Sequence, residues 1–316
     1  MVTSLEDTID SDDYDEFGLL HENAAEWDIF FDTPPVVSRH TFTLPLGQTL
    51  SYLRWGNGEP ELVFLHGGAQ NAHTWDTVLL ALGRPAVAID LAGHGHSDRR
   101  RDRDYGPWQN AQDVATLLAS VTPAAQCVIG MSLGGATTIR LAATRPDLCR
   151  RAVLVDVTPQ INDPTRQLST AERGTVSLIA EPPVYDSFEQ MADATVALSP
   201  HRAASGVRRG VRHNARRLED GRWVWRYDLL GRAPDEAAAT TAEWIDFTSL
   251  WDDVSAITVP TLLVRGGLSP FVRDEDIAEM LRRLSFLDVV VVEGAGHAVQ
   301  SDRPLVLADL IRTFAS

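Results

Sequence analysis

Lysine is missing from all 316 residues; every one of the 28 basic residues is arginine. We read this as a coding bias and draw no function from it. Cysteine is nearly missing too. Cys127 and Cys149 are too few for a disulfide framework or a four-thiolate zinc site. No apolar run approaches the ~18 residues that cross a bilayer, so no membrane-spanning segment is expected. Residues 1–38 contain no positive charge but 11 acids, and the rest of the chain holds 33 acids against 28 arginines. A chain without a basic stripe lacks the phosphate-neutralising charge that nucleic-acid binding needs. The acidic start also lacks the basic and then apolar pattern of a signal peptide. A cytoplasmic location is therefore expected, and two reduced thiols agree with it.

What is present is ordinary globular material, with 44% hydrophobic and 23% charged residues. Residues 1–38 read as an acidic extension, favoured as a flexible leader because self-repulsion opposes ordering. Its apolar residues, among them Phe17, Leu20, Trp27 and Phe30, leave a docked arm as the alternative. From Thr41 onward short apolar runs alternate with helical stretches. Strands are expected over 41–44, 49–54, 62–65, 86–89, 126–130, 152–155, 261–264 and 289–292. Nearly all-apolar runs of this length suit a parallel sheet covered on both faces. Helices are expected over 111–121, 134–145, 274–284 and 304–314. The fold class is thus α/β. Between 159 and 251 the alternation stops, and helices over 170–180, 187–198 and 200–217 with one strand over 223–227 read as an insertion. The expected units are the extension 1–38, a core of 39–158 plus 252–316, and a cap of 159–251.

Three motifs carry chemistry. Gly130-Met131-Ser132-Leu133-Gly134 has the pattern G-x-S-x-G. That pattern arises by chance in roughly one chain in ten of this size. Here it lies between a buried strand and a helix, which is the context of a nucleophile elbow. Phe64-Leu65-His66-Gly67-Gly68 follows the third strand. The N–H of Gly68, with that of Leu133, is placed to stabilise an oxyanion. His66 is read as a brace for this loop. Gly294-Ala295-Gly296-His297 follows the last strand, where His297 can reach back as general base for Ser132.

In this order, with Asp90-Leu91-Ala92-Gly93-His94-Gly95-His96-Ser97 after the fourth strand, the motifs resemble the α/β-hydrolase family over residues 39–316. The resemblance implies a mostly parallel eight-stranded sheet flanked by helices, with a helical cap. It assigns Asp90, Gly93, Gly95 and Ser97 structural roles. It also implies a serine hydrolase that needs no metal and no organic cofactor. The sequence departs from the family at the triad acid, because Ser269 stands where many members carry Asp. Asp156, 24 residues after Ser132, is the favoured replacement; Asp274, Glu275 or no carboxylate are the alternatives.

The leading expectation is hydrolysis of a small apolar carboxylic ester or lactone through an acyl-enzyme. C–C bond hydrolysis, cofactor-free perhydrolysis and MenH-like lyase reactions use the same machinery. A non-catalytic small-molecule receptor is the alternative from another class. Trp75, Met131, Trp223 and Trp225 are candidate pocket residues. The partner is expected to be a small molecule, and a homo-oligomer stays open.

Overall fold

The computed structural model describes residues 8–9, 14–161, 168–169, 172, 184–228 and 246–316. After the two-residue strand β1 (Thr8–Ile9), the core is built from β2 (Val37–Thr43), β3 (Thr49–Trp55), β4 (Leu62–Leu65), β5 (Ala86–Ile89), β6 (Cys127–Met131), β7 (Ala152–Val155), β10 (Thr261–Gly266) and β11 (Leu287–Val292). These eight form one sheet in the order β11-β10-β7-β6-β4-β5-β3-β2. Only β3 runs against the others, pairing antiparallel with both β2 and β5. All other neighbours are parallel.

Every residue of β4, β5, β6 and β7 is buried, as expected of strands covered on both faces. Side chains alternate between two core layers with the period of two that a strand imposes. Val63 and Leu65 enter one layer, Leu62 and Phe64 the other. The first layer is covered by α3 (Pro107–Val121), α4 (Leu133–Thr144), α7 (Leu250–Ala256) and α8 (Asp274–Arg283). The second is covered by α1 (Leu20–Glu26), α2 (Asp76–Leu82) and α10 (Pro304–Phe314), with the short α9 (Val299–Asp302) leading into the last of these.

The extension is not a solvated leader over its described part. Leu20 and Ala24 of α1 are buried in the second layer. Glu16 pairs with Arg39, and its Oε1 lies 3.0 Å from His73 Nε2. Burial raises the Glu16 pKa, but the bonds from His73 and Arg39 outweigh it and hold the carboxyl at about 2. Charge pairing with the body thus replaces the self-repulsion that argued for disorder.

The cap consists of α5 (Phe188–Ala197), α6 (Ala204–Asn214), β8 (Ala215–Leu218) and β9 (Trp223–Trp225). β1 adds to the edge of β8. The helix expected over 200–217 therefore ends at Asn214, and its last residues become a strand paired with β9. Of the helix expected over 170–180, only Glu172 lies among the described residues. Tyr185, Met191, Val211, Trp225 and Tyr227 form a separate core for the cap. Asp228 fastens it to the body: its N–H donates to Gly93 O at 2.7 Å, and its Oδ2 accepts from Tyr105 Oη at 2.6 Å.

Candidate active site

The carboxyl edge of β6 and β7 holds two strained residues side by side. Ser132 has φ 51° and ψ −115°, and Asp156 has φ 51°. Positive φ costs a non-glycine residue roughly 1–3 kcal/mol and persists where surrounding structure enforces it. Met131 faces Val155 in the parallel register, so Ser132 and Asp156 are the next residues on adjacent strands. The Ser132 N–H donates to Val155 O at 3.2 Å across this pair.

The elbow around Ser132 exists because its glycines allow backbone to meet backbone. A Cβ on Gly134 would lie 2.3 Å from Leu65 O. One on Gly130 would lie 2.3 Å from Gly134 O. With that room, the Gly134 N–H reaches His66 O at 3.0 Å and docks the start of α4 on the loop after β4. Gly134→Ala is therefore expected to destabilise by about 3 kcal/mol or more, beyond ordinary overpacking of a deformable core. Urea unfolding measures this as a lower midpoint at unchanged slope.

His297 Nδ1 lies 2.7 Å from Asp156 Oδ2. Asp156 is fully buried. Its Oδ1 accepts the Gly266 N–H at 2.9 Å, and the Ser269 hydroxyl donates to its Oδ2. Ser269, at the position where many family members carry the acid, thus faces the carboxylate and not the imidazole. Asp274, by contrast, is exposed and pairs with Arg265. The two loops that bring these groups together are laced to each other. Gly267 N–H donates to Val292 O and Leu268 N–H to Ala295 O, each at 2.9 Å. A Cβ on Gly266 would sit 2.1 Å from Gly296 O, which accounts for glycine there. Phe271 covers His297 with a ring-centroid distance of 4.2 Å.

The loop after β4 lies beside Ser132, since a Cβ on Gly67 would come within 3.2 Å of Ser132 Cβ. Among the described residues, neither the Gly68 nor the Leu133 N–H has a hydrogen-bond partner. The Leu133 donor also lies at the N-terminus of the 12-residue helix α4, where the helix dipole favours negative charge. His66 braces the loop from beneath, its Nε2 accepting the Leu91 N–H at 2.9 Å and its Nδ1 facing Gly67 O at 2.8 Å. Burial, with His94 adding to it, pushes the His66 pKa down to about 3, so it stays neutral.

Asp90, Gly93, Gly95 and Ser97 are structural as expected. The Asp90 carboxylate accepts N–H bonds from Ala72 and His96 at 2.8 and 3.0 Å, and the Ser97 hydroxyl donates to Asp90 O. Gly93 and Gly95 have φ of 73° and 54°. The four candidate pocket residues all pack within cores. Trp75 is fully buried against Phe64, Met131 is buried in the same layer, Trp223 packs on Phe188, and Trp225 on Tyr185 and Tyr227.

One clasp was not visible in the sequence. Asn214, the last residue of α6, donates from Nδ2 to Ala69 O at 2.6 Å, and Asn71 Nδ2 donates to His213 O at 3.0 Å. The cap thereby grips the loop that carries Gly68. An Asn at a helix end reads as a cap for that helix, which hides such a contact.

Comparison with known proteins places this geometry. A sequence model described as the alpha/beta hydrolase family matches residues 62–310. The esterase Rv0045c of Mycobacterium tuberculosis is 47% identical over 299 residues, covering 94% of this chain and 95% of that protein. A structure of that esterase, described together with its inhibition by transition metals, superposes with a TM-score of 0.82 over 95% of this chain and 98% of the other. The 2-(acetamidomethylene)succinate hydrolase of Mesorhizobium japonicum is 28% identical over 84% of this chain and 91% of its own length. Among the described residues no helix is long and apolar enough to cross a membrane.

Proposed function

This chain belongs to the α/β-hydrolase family and is an ester hydrolase, and from that premise we propose that it cleaves a small apolar carboxylic ester or lactone through an acyl-enzyme on Ser132. The observation that carries the proposal is the 2.7 Å contact between His297 Nδ1 and Asp156, on the strand end beside Ser132.

In this reading the Nδ1 proton is held toward Asp156, so the lone pair lies on His297 Nε2. That nitrogen takes the Ser132 hydroxyl proton as Oγ attacks the ester carbonyl. The oxyanion forms between the N–H groups of Gly68 and Leu133. The tetrahedral intermediate collapses, and the proton passes from Nε2 to the departing alkoxide. Water then attacks the acyl group with His297 again as base, and the acid leaves. Asp156 stabilises the imidazolium and keeps its orientation. The Ser269 hydroxyl and Gly266 N–H hold the carboxylate in place.

The Phe271 ring on His297 and the aromatic cap support an apolar substrate. The two unpaired, buried thiols support a cytoplasmic enzyme. A p-nitrophenyl ester series tests the substrate class. Acetate and butyrate are expected to exceed decanoate in kcat/KM by about tenfold or more, the effect of a pocket that cannot take additional methylenes. A rate rising steadily to decanoate would contradict a small acyl site.

A further inference from the structure

We infer that His73, Asp76 and His213 form a binding site for one divalent transition-metal ion where the N-terminal arm, the core and the cap meet. The inference goes beyond the esterase reading and does not depend on it.

The three residues come from separate parts of the chain. His73 lies in a single 3₁₀ turn (Ala72–Trp75), Asp76 opens α2 directly after it, and His213 is the last residue but one of α6 in the cap. All three are more than nine-tenths buried. One donor atom from each lies within 4.8 Å of the other two. Asp76 Oδ2 is 2.9 Å from His73 Nδ1 and 3.9 Å from His213 Nε2. Ligand atoms around a tetrahedral ion with ~2.0–2.1 Å bonds are about 3.3 Å apart. The present spacing brackets that value.

Two of the atoms are left without hydrogen bonds. Among the described residues, neither Asp76 Oδ1 nor His213 Nε2 has a hydrogen-bond partner. A buried polar atom left in that state is costly, and a cation would satisfy both. The opposite ring nitrogens are already occupied. Glu16 Oε1 lies 3.0 Å from His73 Nε2, and Tyr14 Oη lies 2.7 Å from His213 Nδ1. Metal-bound histidines characteristically donate their other N–H to such an oxygen, which fixes the tautomer and leaves the lone pair free for the ion. Both partners here come from the arm.

The charge also fits. Without an ion, burial disfavours the charged His73 ring, but Asp76 and Glu16 outweigh it and raise its pKa to about 9. An ion therefore takes the place of the proton between His73 Nδ1 and Asp76 Oδ2. With both imidazoles then neutral, Glu16, Asp76 and Asp90 place three carboxylates around the Arg39 guanidinium. A divalent cation would offset the remaining two negative charges. Three further arginines nearby are engaged elsewhere: Arg209 pairs with Glu22 and Glu26, Arg212 lies over the rings of Tyr14, Phe188 and Trp223, and Arg226 donates from Nε to Ala215 O. Two imidazoles and one carboxylate select zinc, cobalt, nickel or copper over calcium or magnesium. The rings of His73 and His213 now stack at 3.9 Å with 10° between planes. A ligating lone pair lies in its ring plane, so loading must splay the rings at their Asp76 edge. The ion would then tie the cap to the core.

The test uses the full chain, stripped with EDTA and titrated with Co²⁺ at pH 8. One equivalent is expected to produce visible d–d absorption, to be displaced by Zn²⁺ and to raise Tm. His213→Gln and Asp76→Asn should each abolish the absorption. Glu16→Gln and Tyr14→Phe keep the ligands and should weaken binding about 10- to 100-fold. No absorption from the wild-type chain would overturn the inference and leave the cluster as ion pairs only. Undiminished absorption in His213→Gln and Asp76→Asn would overturn it equally. If those two variants lack the native circular dichroism spectrum, the arm variants decide: weaker binding supports the site, and unchanged affinity overturns it.

Discussion

Ser132→Ala is expected to lower kcat for p-nitrophenyl acetate by about 10⁴- to 10⁶-fold, with the chain still folded. The range follows from what removal of a nucleophilic serine costs when it acts as one unit with its base and oxyanion donors. The Oγ is the only atom lost, so the strained backbone of the elbow should survive. Indeed Ser132 has φ 51°, and Ala tolerates that region no better than Ser, so the urea midpoint should shift little. Residual hydrolysis should reflect the oxyanion donors and binding alone. A variant that keeps more than about a tenth of the wild-type rate would move the chemistry to another group.

Asp156→Asn is the second large effect, an expected fall in kcat of about 10³- to 10⁴-fold with KM little changed. A neutral amide cannot stabilise the imidazolium, and its NH₂ can force the other tautomer, which puts the proton on the nitrogen that must act as base. Asp156 is fully buried and also accepts bonds from Gly266 N–H and Ser269. Some loss of stability should therefore accompany the change, and circular dichroism with a urea titration separates the two effects. Ser269→Ala calibrates the argument. It removes one neutral donor to the carboxylate, a loss of about 1 kcal/mol and so less than about tenfold in kcat. If Ser269→Ala were the more damaging of the two, the acid function would have been assigned to the wrong side of the hydrogen bond.

The division between what could be read from the chain and what could not has physical causes. The strands over 62–65, 86–89 and 152–155 match the observed β4, β5 and β7. Each is a purely apolar run of four, bounded by turn residues, and burial on both faces leaves no other pattern. The edge strand β2 starts at Val37, four residues before its expected start. Ser38 and His40 there are stabilised by backbone pairing with β3, and an edge strand need not be apolar. Ala215-Arg216-Arg217-Leu218 has helix-forming side chains, yet it pairs with β9. Tertiary pairing overrides propensity where the margin is a few tenths of a kcal/mol per residue. The helix α1 was hidden by its acidic surroundings, because two buried residues, Leu20 and Ala24, anchor it only once the core exists.

Within the proposed site, Ser132 and His297 could be named as candidates because each lies in a glycine-rich turn at a strand end, where local sequence dictates local geometry. Asp156 was one of several carboxylates that spacing allowed. Its spacing from Ser132 favoured it, but the partners that hold its carboxylate, Gly266 and Ser269 after β10, are long-range contacts that spacing does not show. The buried group of Glu16, His73, Asp76 and His213 was invisible for the same reason, since its members are as much as 197 positions apart. Trp75, expected as a pocket wall from its place after the oxyanion loop, is fully buried in the second core layer.

The most direct measurement is the mass of the intact protein, acid-quenched during turnover of a slowly deacylated p-nitrophenyl ester. The account predicts one added acyl group per chain, carried on the peptide containing Ser132 and missing in Ser132→Ala. An acyl group on any other residue, or one that persists in Ser132→Ala, would contradict it.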